Sequence, residues 1–247
     1  MLTTLEQMIG ADTISEVWSV YVGKVSEYGF DRVMYGFTAD KEENADNLEN
    51  VLFLSNHDKA YLDVFLGKGL YRHAPMVRWA IENVGEASWR EVGRAYAEGR
   101  LSPEERRVVE FNHAMGIFAG YSIAFSDVSI RAKGALGLAA RRDMTQDQVD
   151  AIWDEHGRHL GMISTLLHLK VTSLPQRKGT PLTQRQREAL EWVADGKTMQ
   201  DIALLMGIST AMVEKHLRLA RDALDVETTA HAVAKASRLN QIFIREE

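Results

Sequence analysis

The feature that most constrains this chain is a segment near its end, residues 182–242, in which short helical blocks are separated by tight turns. The turns at 196–198 and 207–209 each finish on a threonine or serine, whose side-chain oxygen can cap the helix that follows. Within the blocks, apolar residues recur every three or four positions, as in helices that bury one face. The segment is therefore predicted to form four short helices packed as a helix-turn-helix DNA-binding unit.

The third block, residues 210–224, is suited to reading DNA. Its apolar residues form one stripe: Val213, Leu217, Ala220 and Leu224. The opposite face carries Thr210, Ala211, Glu214, Lys215, Arg218 and Arg221. Major-groove recognition needs long polar side chains on an anchored helix, because base edges differ in their donor and acceptor patterns. Periodicity alone is equally consistent with a four-helix packing module whose outer face is solvated.

Composition narrows the class of protein. The 247 residues include no cysteine, which excludes disulfides, thiol catalysis and cysteine-based zinc sites. No apolar run is as long as a membrane span and no secretion signal opens the chain, so we expect a cytoplasmic protein without a membrane partner. Residues 176–247 carry 11 lysines and arginines against 10 acidic residues, whereas the rest of the chain is net −7. A DNA-binding segment so close to neutral predicts modest, salt-dependent affinity that relies on dimerisation.

The preceding part of the chain is predicted to be an α+β domain. Helices are expected over 12–28, 57–68, 102–115 and 145–169, and strands over 32–38, 51–54, 120–125 and 132–139. The acidic, asparagine-rich interval 40–50 is expected to be a surface loop. This order of elements predicts an N-terminal α/β/α sandwich with an antiparallel sheet, followed by the all-α four-helix unit. Domain boundaries are set at 1–170 for a sensor domain, 171–181 for a proline-containing linker and 182–247 for the DNA-binding domain.

Catalytic and metal-binding motifs receive no support in this sequence. It has no glycine-rich phosphate loop, no G-x-S-x-G turn and no HExxH. The spacing of His156 and His159 resembles that of metal ligands, but His156 falls on the apolar stripe of its helix, where a packed histidine is the simpler interpretation. We therefore predict a non-enzyme without a metal or another cofactor.

A binding pocket is better supported. His57, Tyr61 and Phe65 are four residues apart and share one helical face, and Trp89 follows a turn that contains a glycine. Aromatic walls with a few polar tips suit a mostly apolar ligand whose polar end must be oriented. Taken without further information, the same residues are better interpreted as plain core aromatics.

Both halves of the chain resemble one family. The C-terminal segment resembles the LuxR-type transcription-factor domain through Leu182-Thr183-x-Arg185, Glu188, Leu190, Gly196-Lys197-Thr198, Asp201-Ile202-Ala203, Ile208-Ser209, Val213, His216 and 232–236. This resemblance and the polar face of the third block imply DNA contacts from Lys197, Thr198, Ser209, Thr210, Glu214, Lys215, Arg218 and Arg221. More loosely, the N-terminal half is similar to the autoinducer-binding domain of LuxR-type receptors.

That second resemblance implies a pocket for an N-acyl homoserine lactone or a related signal. The implied ligand-binding residues are His57, Tyr61, Phe65, Ala74, Trp89 and Gly120. Ala74 stands where the family has an aspartate that accepts a hydrogen bond from the ligand amide, and a buried amide without its acceptor costs roughly 1–3 kcal/mol. Tyr61 replaces a tryptophan and Phe65 a tyrosine. Several departures in one pocket point to a different ligand or to none.

On the DNA-reading face, Glu214 can only accept hydrogen bonds, most plausibly from cytosine, whereas Arg218 pairs best with guanine. We accordingly expect an altered operator half-site or weakened DNA binding. The sequence as a whole predicts a quorum-sensing LuxR-type regulator that binds DNA as a homodimer and senses a small apolar signal. Two alternatives stay open: a ligand-independent regulator or anti-activator that dimerises with a related regulator, and a sensor-enzyme that acts on an acyl or lactone signal.

Overall fold

The computed structural model describes residues 2–39, 51–127, 129–176 and 180–244, which form two compact units, Met1–Thr172 and Ser173–Glu247. The whole interval 40–50, predicted to be a surface loop, lies outside the described residues. None of the described helices is long and apolar enough to cross a membrane.

The first unit contains seven α-helices and five strands among its described residues. The helices are α1 (Leu2–Gly10), α2 (Ile14–Ser26), α3 (Lys59–Phe65), α4 (Pro75–Glu82), α5 (Arg90–Ala97), α6 (Pro103–Ala114) and α7 (Gln146–Ser173), with a 3₁₀ turn at Leu70–His73. The strands are β1 (Phe30–Thr38), β2 (Leu52–Ser55), β3 (Gly85–Ser88), β4 (Gly120–Ala124) and β5 (Lys133–Ala140).

The strands form one antiparallel sheet in the order β2-β1-β5-β4-β3. Because side chains alternate along a strand, each face of the sheet collects a different set. Large residues such as Tyr35 and Tyr121 face α7, where Tyr35 contacts His168 and Tyr121 stacks on Trp153 with ring centroids 4.0 Å apart. The predicted α/β/α sandwich with an antiparallel sheet is confirmed.

Inside this core, polar side chains of α2, the sheet and α7 form hydrogen bonds with one another. The Tyr21 hydroxyl of α2 and the Ser164 hydroxyl of α7 are 2.7 Å apart, and both residues are fully buried. His168 bridges the Tyr35 hydroxyl and the Asp127 carboxylate, at 2.9 and 3.0 Å. Burial of polar groups is tolerated when each finds a partner, so these contacts fix α7 against the sheet.

The second unit contains four helices: α8 (Gln184–Ala194), α9 (Met199–Met206), α10 (Thr210–Leu224) and α11 (Thr229–Arg238). Threonine or serine caps begin all four, and Gly207 ends α9 in the left-handed conformation, with φ of 64°. The apolar stripe of α10 is buried in their common core, where Leu190, Ile202 and Ala232 also pack. The predicted four-helix helix-turn-helix unit is confirmed.

The segment predicted as a linker, 171–181, is partly structured. Its first three residues continue α7, and Val171 is fully buried. Gln176 is also buried, and its backbone N–H donates to the Leu239 carbonyl at the end of α11. The Gln241 side chain donates in return to the Gln176 carbonyl at 2.8 Å. Among the described residues, the chain is therefore already anchored to the second unit several positions before α8; residues 177–179 lie outside the description.

Candidate functional site

A cavity of about 280 Å³ lies between one face of the sheet and the helices α3 to α6. The residues that the sheet contributes include the small Gly36, Ala135, Gly137 and Ala139 beside larger ones such as Met34 and Phe53. The helical side contributes mostly apolar and aromatic residues, among them Tyr61, Phe65, Leu66, Tyr71, Ala74, Val77, Trp89, Val108 and Ile117. A buried space with apolar walls and a few polar groups is the usual form of a small-molecule site.

One wall of the cavity is an aromatic stack. The His57 ring lies on Tyr61 with centroids 4.4 Å apart, and Tyr61 lies on Phe65 at 5.1 Å. Phe111 of α6 covers the other side of Tyr61 at 5.3 Å. Tyr61 and Phe65 are four residues apart on α3 and meet on one helical face, as their spacing predicted. His57 precedes the helix, so the prediction that it shares this helical face is wrong, although its ring still contacts Tyr61. Tyr61 and Phe65 are each only 6% exposed, so the stack is both core and cavity wall.

Trp89 reaches the cavity because Gly120 leaves it room. The indole N–H of Trp89 donates to the Ser122 hydroxyl at 3.0 Å. A Cβ on Gly120 would lie 2.7 Å from the Trp89 ring and closer still to the Leu138 carbonyl oxygen. Gly120 itself does not line the cavity. In the structure it is a packing position beneath the tryptophan, and a ligand contact at Gly120 stays a prediction.

Ala74 lines the cavity at the start of α4. Its backbone is extended and precedes Pro75, the first residue of the helix. Proline is common at this position because it has no N–H to leave unpaired. Ala74 is 6% exposed and presents only a methyl group to the cavity. Among the described residues, no aspartate or glutamate lines the wall.

Burial keeps the titratable groups of the aromatic wall uncharged near neutral pH. Desolvation, with a smaller contribution from the positive charge of Arg32, lowers the pKa of His57 from 6.5 to about 4. Desolvation also raises the pKa of the Tyr61 phenol above its usual value of 10. His57 is therefore a neutral imidazole and Tyr61 a neutral phenol at pH 7.

Two polar wall residues were not identified from the sequence. Asn112 accepts a hydrogen bond from the Tyr61 hydroxyl at 3.1 Å, and Ser122 accepts the one from Trp89. Both line the cavity. Asn112 is one turn after Val108 on α6, and Ser122 is two positions after Gly120 on β4, so spacing offered a signal for each. That signal required knowing which face of α6 and of β4 meets the cavity.

His156 and His159 pack beside Tyr28. Their ring centroids lie 5.0 and 5.8 Å from the tyrosine ring, and the Tyr28 hydroxyl is 2.9 Å from Nδ1 of His159. No group of three or more histidines and carboxylates suited to a metal ion occurs in the described part of the chain. The contacts of both histidines are those of packed side chains.

The second unit presents the predicted reading face on α10. Thr210, Glu214, Lys215 and Arg218 are exposed, whereas Val213 on the opposite stripe is fully buried. Lys197 lies in the exposed turn before α9. The hydroxyls of Thr198 and Ser209 accept the backbone N–H groups of Asp201 and Met212, so both are first of all helix caps.

Arg221 differs from its neighbours on this face. Its side chain is only 19% exposed. One guanidinium nitrogen donates to the Thr229 hydroxyl of α11 at 2.8 Å, and the other lies 3.1 Å from the Glu214 carboxylate. Arg221 thus joins α10 to α11 and holds Glu214, an arrangement that the helical pattern did not predict. Arg218 in turn pairs with Asp222 at 3.2 Å.

Comparison with known proteins matches both units. Residues 13–171 match the family model of the autoinducer binding domain, and residues 182–224 match that of sigma-70 region 4. The transcriptional activator ExpR of Dickeya dadantii is 23% identical over 239 residues, covering 92% of this chain and 91% of that protein. The transcriptional activator LuxR of Aliivibrio fischeri is 20% identical over 191 residues, covering 76% of this chain and 73% of that protein.

Solved structures agree in fold. Escherichia coli SdiA superposes with a TM-score of 0.51 at 18% identity, covering 98% of each chain. CepR2 from Burkholderia cenocepacia, an N-acylhomoserine lactone dependent LuxR family factor, superposes with a TM-score of 0.53 at 15% identity, covering 69% of this chain and 94% of that one. At such identities the likeness establishes the fold alone.

Proposed function

Because the chain belongs to the LuxR-type family of quorum-sensing transcriptional regulators, we propose that it is a ligand-gated transcription factor. In this proposal the cavity of the first unit binds a small, mostly apolar signal, an N-acyl homoserine lactone or a related molecule. The second unit then binds an operator as part of a cytoplasmic homodimer. Sensing and DNA recognition are thereby assigned to separate parts of one chain.

The observation that carries the proposal is the cavity itself. Its volume of about 280 Å³ is slightly below the range of about 300–1,000 Å³ typical of drug-sized ligands, which favours a small molecule. Its wall consists of aromatic and aliphatic side chains with a few polar groups. His57, Tyr61, Phe65, Ala74 and Trp89 are the residues that we expect to contact the ligand.

Ligand burial would act by mass action. A molecule that binds only the folded first unit stabilises it by about 2.7 kcal/mol when its concentration is one hundred times Kd. We propose that this stabilisation holds the dimer in one arrangement, which sets the spacing of the two α10 helices on DNA. A dimer is needed because a single small module contacts too little DNA for high specificity.

On the DNA side, we propose that Lys197 and Lys215 contact phosphates and that Glu214 and Arg218 face base edges. Lys197 and Lys215 form no ion pair within the described residues, so their charges are available to phosphates. The caps Thr198 and Ser209 and the first helical residue Thr210 bring backbone N–H groups and hydroxyls to the same surface. Arg221 is assigned instead to positioning Glu214.

Native mass spectrometry tests the proposal most directly. The full-length protein is purified from the bacterium that encodes it and from a host that makes no autoinducer. We expect a bound small molecule, and a dimer, in the first preparation, and tighter operator binding for that preparation than for the second. Equal mass, equal dimerisation and equal operator affinity for both preparations would contradict ligand gating.

A second candidate function is favoured by the exposure of the Glu214 carboxylate on the predicted reading face, where Arg221 offsets only part of its charge. A carboxylate there repels phosphate, so the chain could act as an anti-activator by dimerising with a related regulator. Co-expression with such a regulator should then yield heterodimers that fail to bind its operator. Recovery of homodimers alone, with specific operator binding, would leave the ligand-gated function as the better account.

A further inference from the structure

The polar groups on the cavity wall differ in how far their hydrogen-bonding capacity is used. Oδ1 of Asn112 already accepts from the Tyr61 hydroxyl at 3.1 Å. The amide nitrogen of the same side chain has two hydrogens to donate, and among the described residues it has no acceptor. A donor on the cavity wall that has no acceptor in the protein is available to a ligand.

Ser122 also has a hydrogen-bond donor that is not used within the described residues. The Ser122 hydroxyl oxygen accepts a hydrogen bond from the indole N–H of Trp89 at 3.0 Å. Ser122 lies on the cavity side of the sheet and is only 4% exposed. The hydroxyl hydrogen of Ser122 therefore remains to be donated. Asn112 and Ser122 together present three hydrogens to the cavity without an acceptor for any of them in the described part of the chain.

Acceptors for a ligand N–H are scarcer. No carboxylate is found among the described wall residues, and Ala74 contributes only a methyl group. The neutral ring of His57 offers one accepting nitrogen, but its other nitrogen is again a donor. The neutral oxygens of Tyr61, Asn112 and Ser122 can still accept, but each already takes part in one hydrogen bond, whereas the three hydrogens of Asn112 and Ser122 are unused within the described residues. The wall therefore favours a ligand that brings oxygen acceptors.

We infer that this cavity selects uncharged, hydrocarbon-rich molecules whose polar end carries carbonyl or ether oxygens and no amide N–H, so that an ester or ketone is preferred to the corresponding amide. The inference rests on the proposed function, because it names the ligand class for the same site. An amide would bury its N–H without a strong acceptor, which costs roughly 5- to 150-fold in affinity. An ester or a ketone of the same shape has no such hydrogen to leave unpaired.

The test uses three molecules of one shape on the full-length protein. They are N-octanoyl homoserine lactone, the ester in which oxygen replaces the amide N–H, and the ketone in which a methylene replaces it. Titration calorimetry gives the Kd of each. We expect the ester and the ketone to bind at least about fivefold more tightly than the amide.

Two substitutions then test the assignment of the wall. Ala74→Asp adds a carboxylate where the helix α4 begins, a position at which aspartate is a favoured cap, so the variant is expected to fold. We expect it to bind the amide more tightly relative to the ester. Asn112→Asp keeps an acceptor for the Tyr61 hydroxyl but removes both N–H donors, and should weaken ester and ketone binding more than amide binding. Asn83→Asp makes the same chemical change on an exposed residue outside the wall and should leave the preference unchanged.

An amide that binds as tightly as the ester, or more tightly, in the unsubstituted protein would overturn the inference. So would failure of all three molecules to bind. Either result is distinguishable from a failure of the proposed function, because native mass spectrometry would still report a bound molecule if the protein is ligand-gated. Thermal unfolding of each variant identifies any loss of affinity that comes from misfolding.

Discussion

Lowering the pH from 7 to 5 should destabilise the first unit through His57. The folded protein keeps this imidazole neutral, because burial and the nearby Arg32 lower its pKa to about 4, whereas the unfolded chain has the ordinary value of 6.5. Between these two values the unfolded state binds more protons than the folded state. Stability contributed by the neutral ring is therefore present above pH 6.5 and is lost as the pH falls toward 4.

The magnitude follows from the two pKa values. At pH 7 the unfolded state gains only about 0.2 kcal/mol from protonating this ring, and at pH 5 it gains about 2 kcal/mol. The difference, about 1.8 kcal/mol, is roughly one tenth to one third of the typical stability of about 5–15 kcal/mol for a whole domain. His113 and His159 also have lowered pKa values, for which desolvation is the main cause, so they contribute in the same direction.

His57→Phe isolates the contribution of one ring. Phenylalanine preserves the stack on Tyr61 but cannot titrate, so the loss of stability between pH 7 and pH 5 should be about 1.8 kcal/mol smaller than in the unsubstituted protein. Urea unfolding at several pH values measures this difference. Histidine NMR gives the pKa directly, and the missing resonance in the variant assigns it. A measured pKa of 6 or above for His57, with parallel stability curves for the two proteins, would refute the reasoning.

Two further predictions concern packing and DNA binding. Gly120→Ala should lower the unfolding free energy by about 1–3 kcal/mol, because its methyl group overlaps the Trp89 ring, whereas Gly137→Ala meets nothing closer than 4.0 Å and should be tolerated in thermal unfolding. Arg221→Ala should destabilise the second unit by about 1–3 kcal/mol, since it removes the bonds to α11 and to Glu214. Lys215→Ala should leave stability unchanged but reduce the salt slope of DNA binding by about 1, measured by fluorescence anisotropy. Equal stability losses in the last two variants would contradict the roles assigned to them.

Sequence patterns predicted the second unit almost completely. Its helices are amphipathic, and each begins at a threonine or serine that the structure uses as a cap, so local signals and tertiary structure agree. The side chain of Arg221 is the exception. A helical pattern assigns it to the polar face, but its partner Thr229 lies on the next helix, and periodicity within one helix carries no information about that contact.

Prediction was less complete in the first unit, where several elements are short. Strand β3 is four residues long and has no β-branched or aromatic residue, so only its pairing with β4 makes it a strand. Helix α4 begins at Pro75, where no helix was predicted from the sequence, although proline is common at the first helical position.

In the cavity wall, Tyr61 and Phe65 were found from repetition along one element, and Ala74 and Trp89 from the family resemblance. The contact of Tyr61 with Phe65 follows from spacing on one helical face, whereas His57 precedes α3. Asn112 and Ser122 are single polar residues on α6 and β4. Their contacts with Tyr61 and Trp89 join residues 51 and 33 positions apart. Whether the predicted residues bind a ligand or DNA stays a prediction for the experiments above.

The small residues on the cavity side of the sheet affect how the ligand specificity of such a pocket can change during evolution. The strands that present Gly36 and Gly137 to the cavity turn the large Tyr35 and Leu138 toward α7, so folding stability and ligand shape depend on different residues of the same strands. A Cβ on either glycine would meet its nearest neighbour at 3.6 Å or more. Single substitutions on the cavity side of the sheet could therefore change which signal fits the cavity during evolution. The residues on the other side, which stabilise the fold, would stay unchanged.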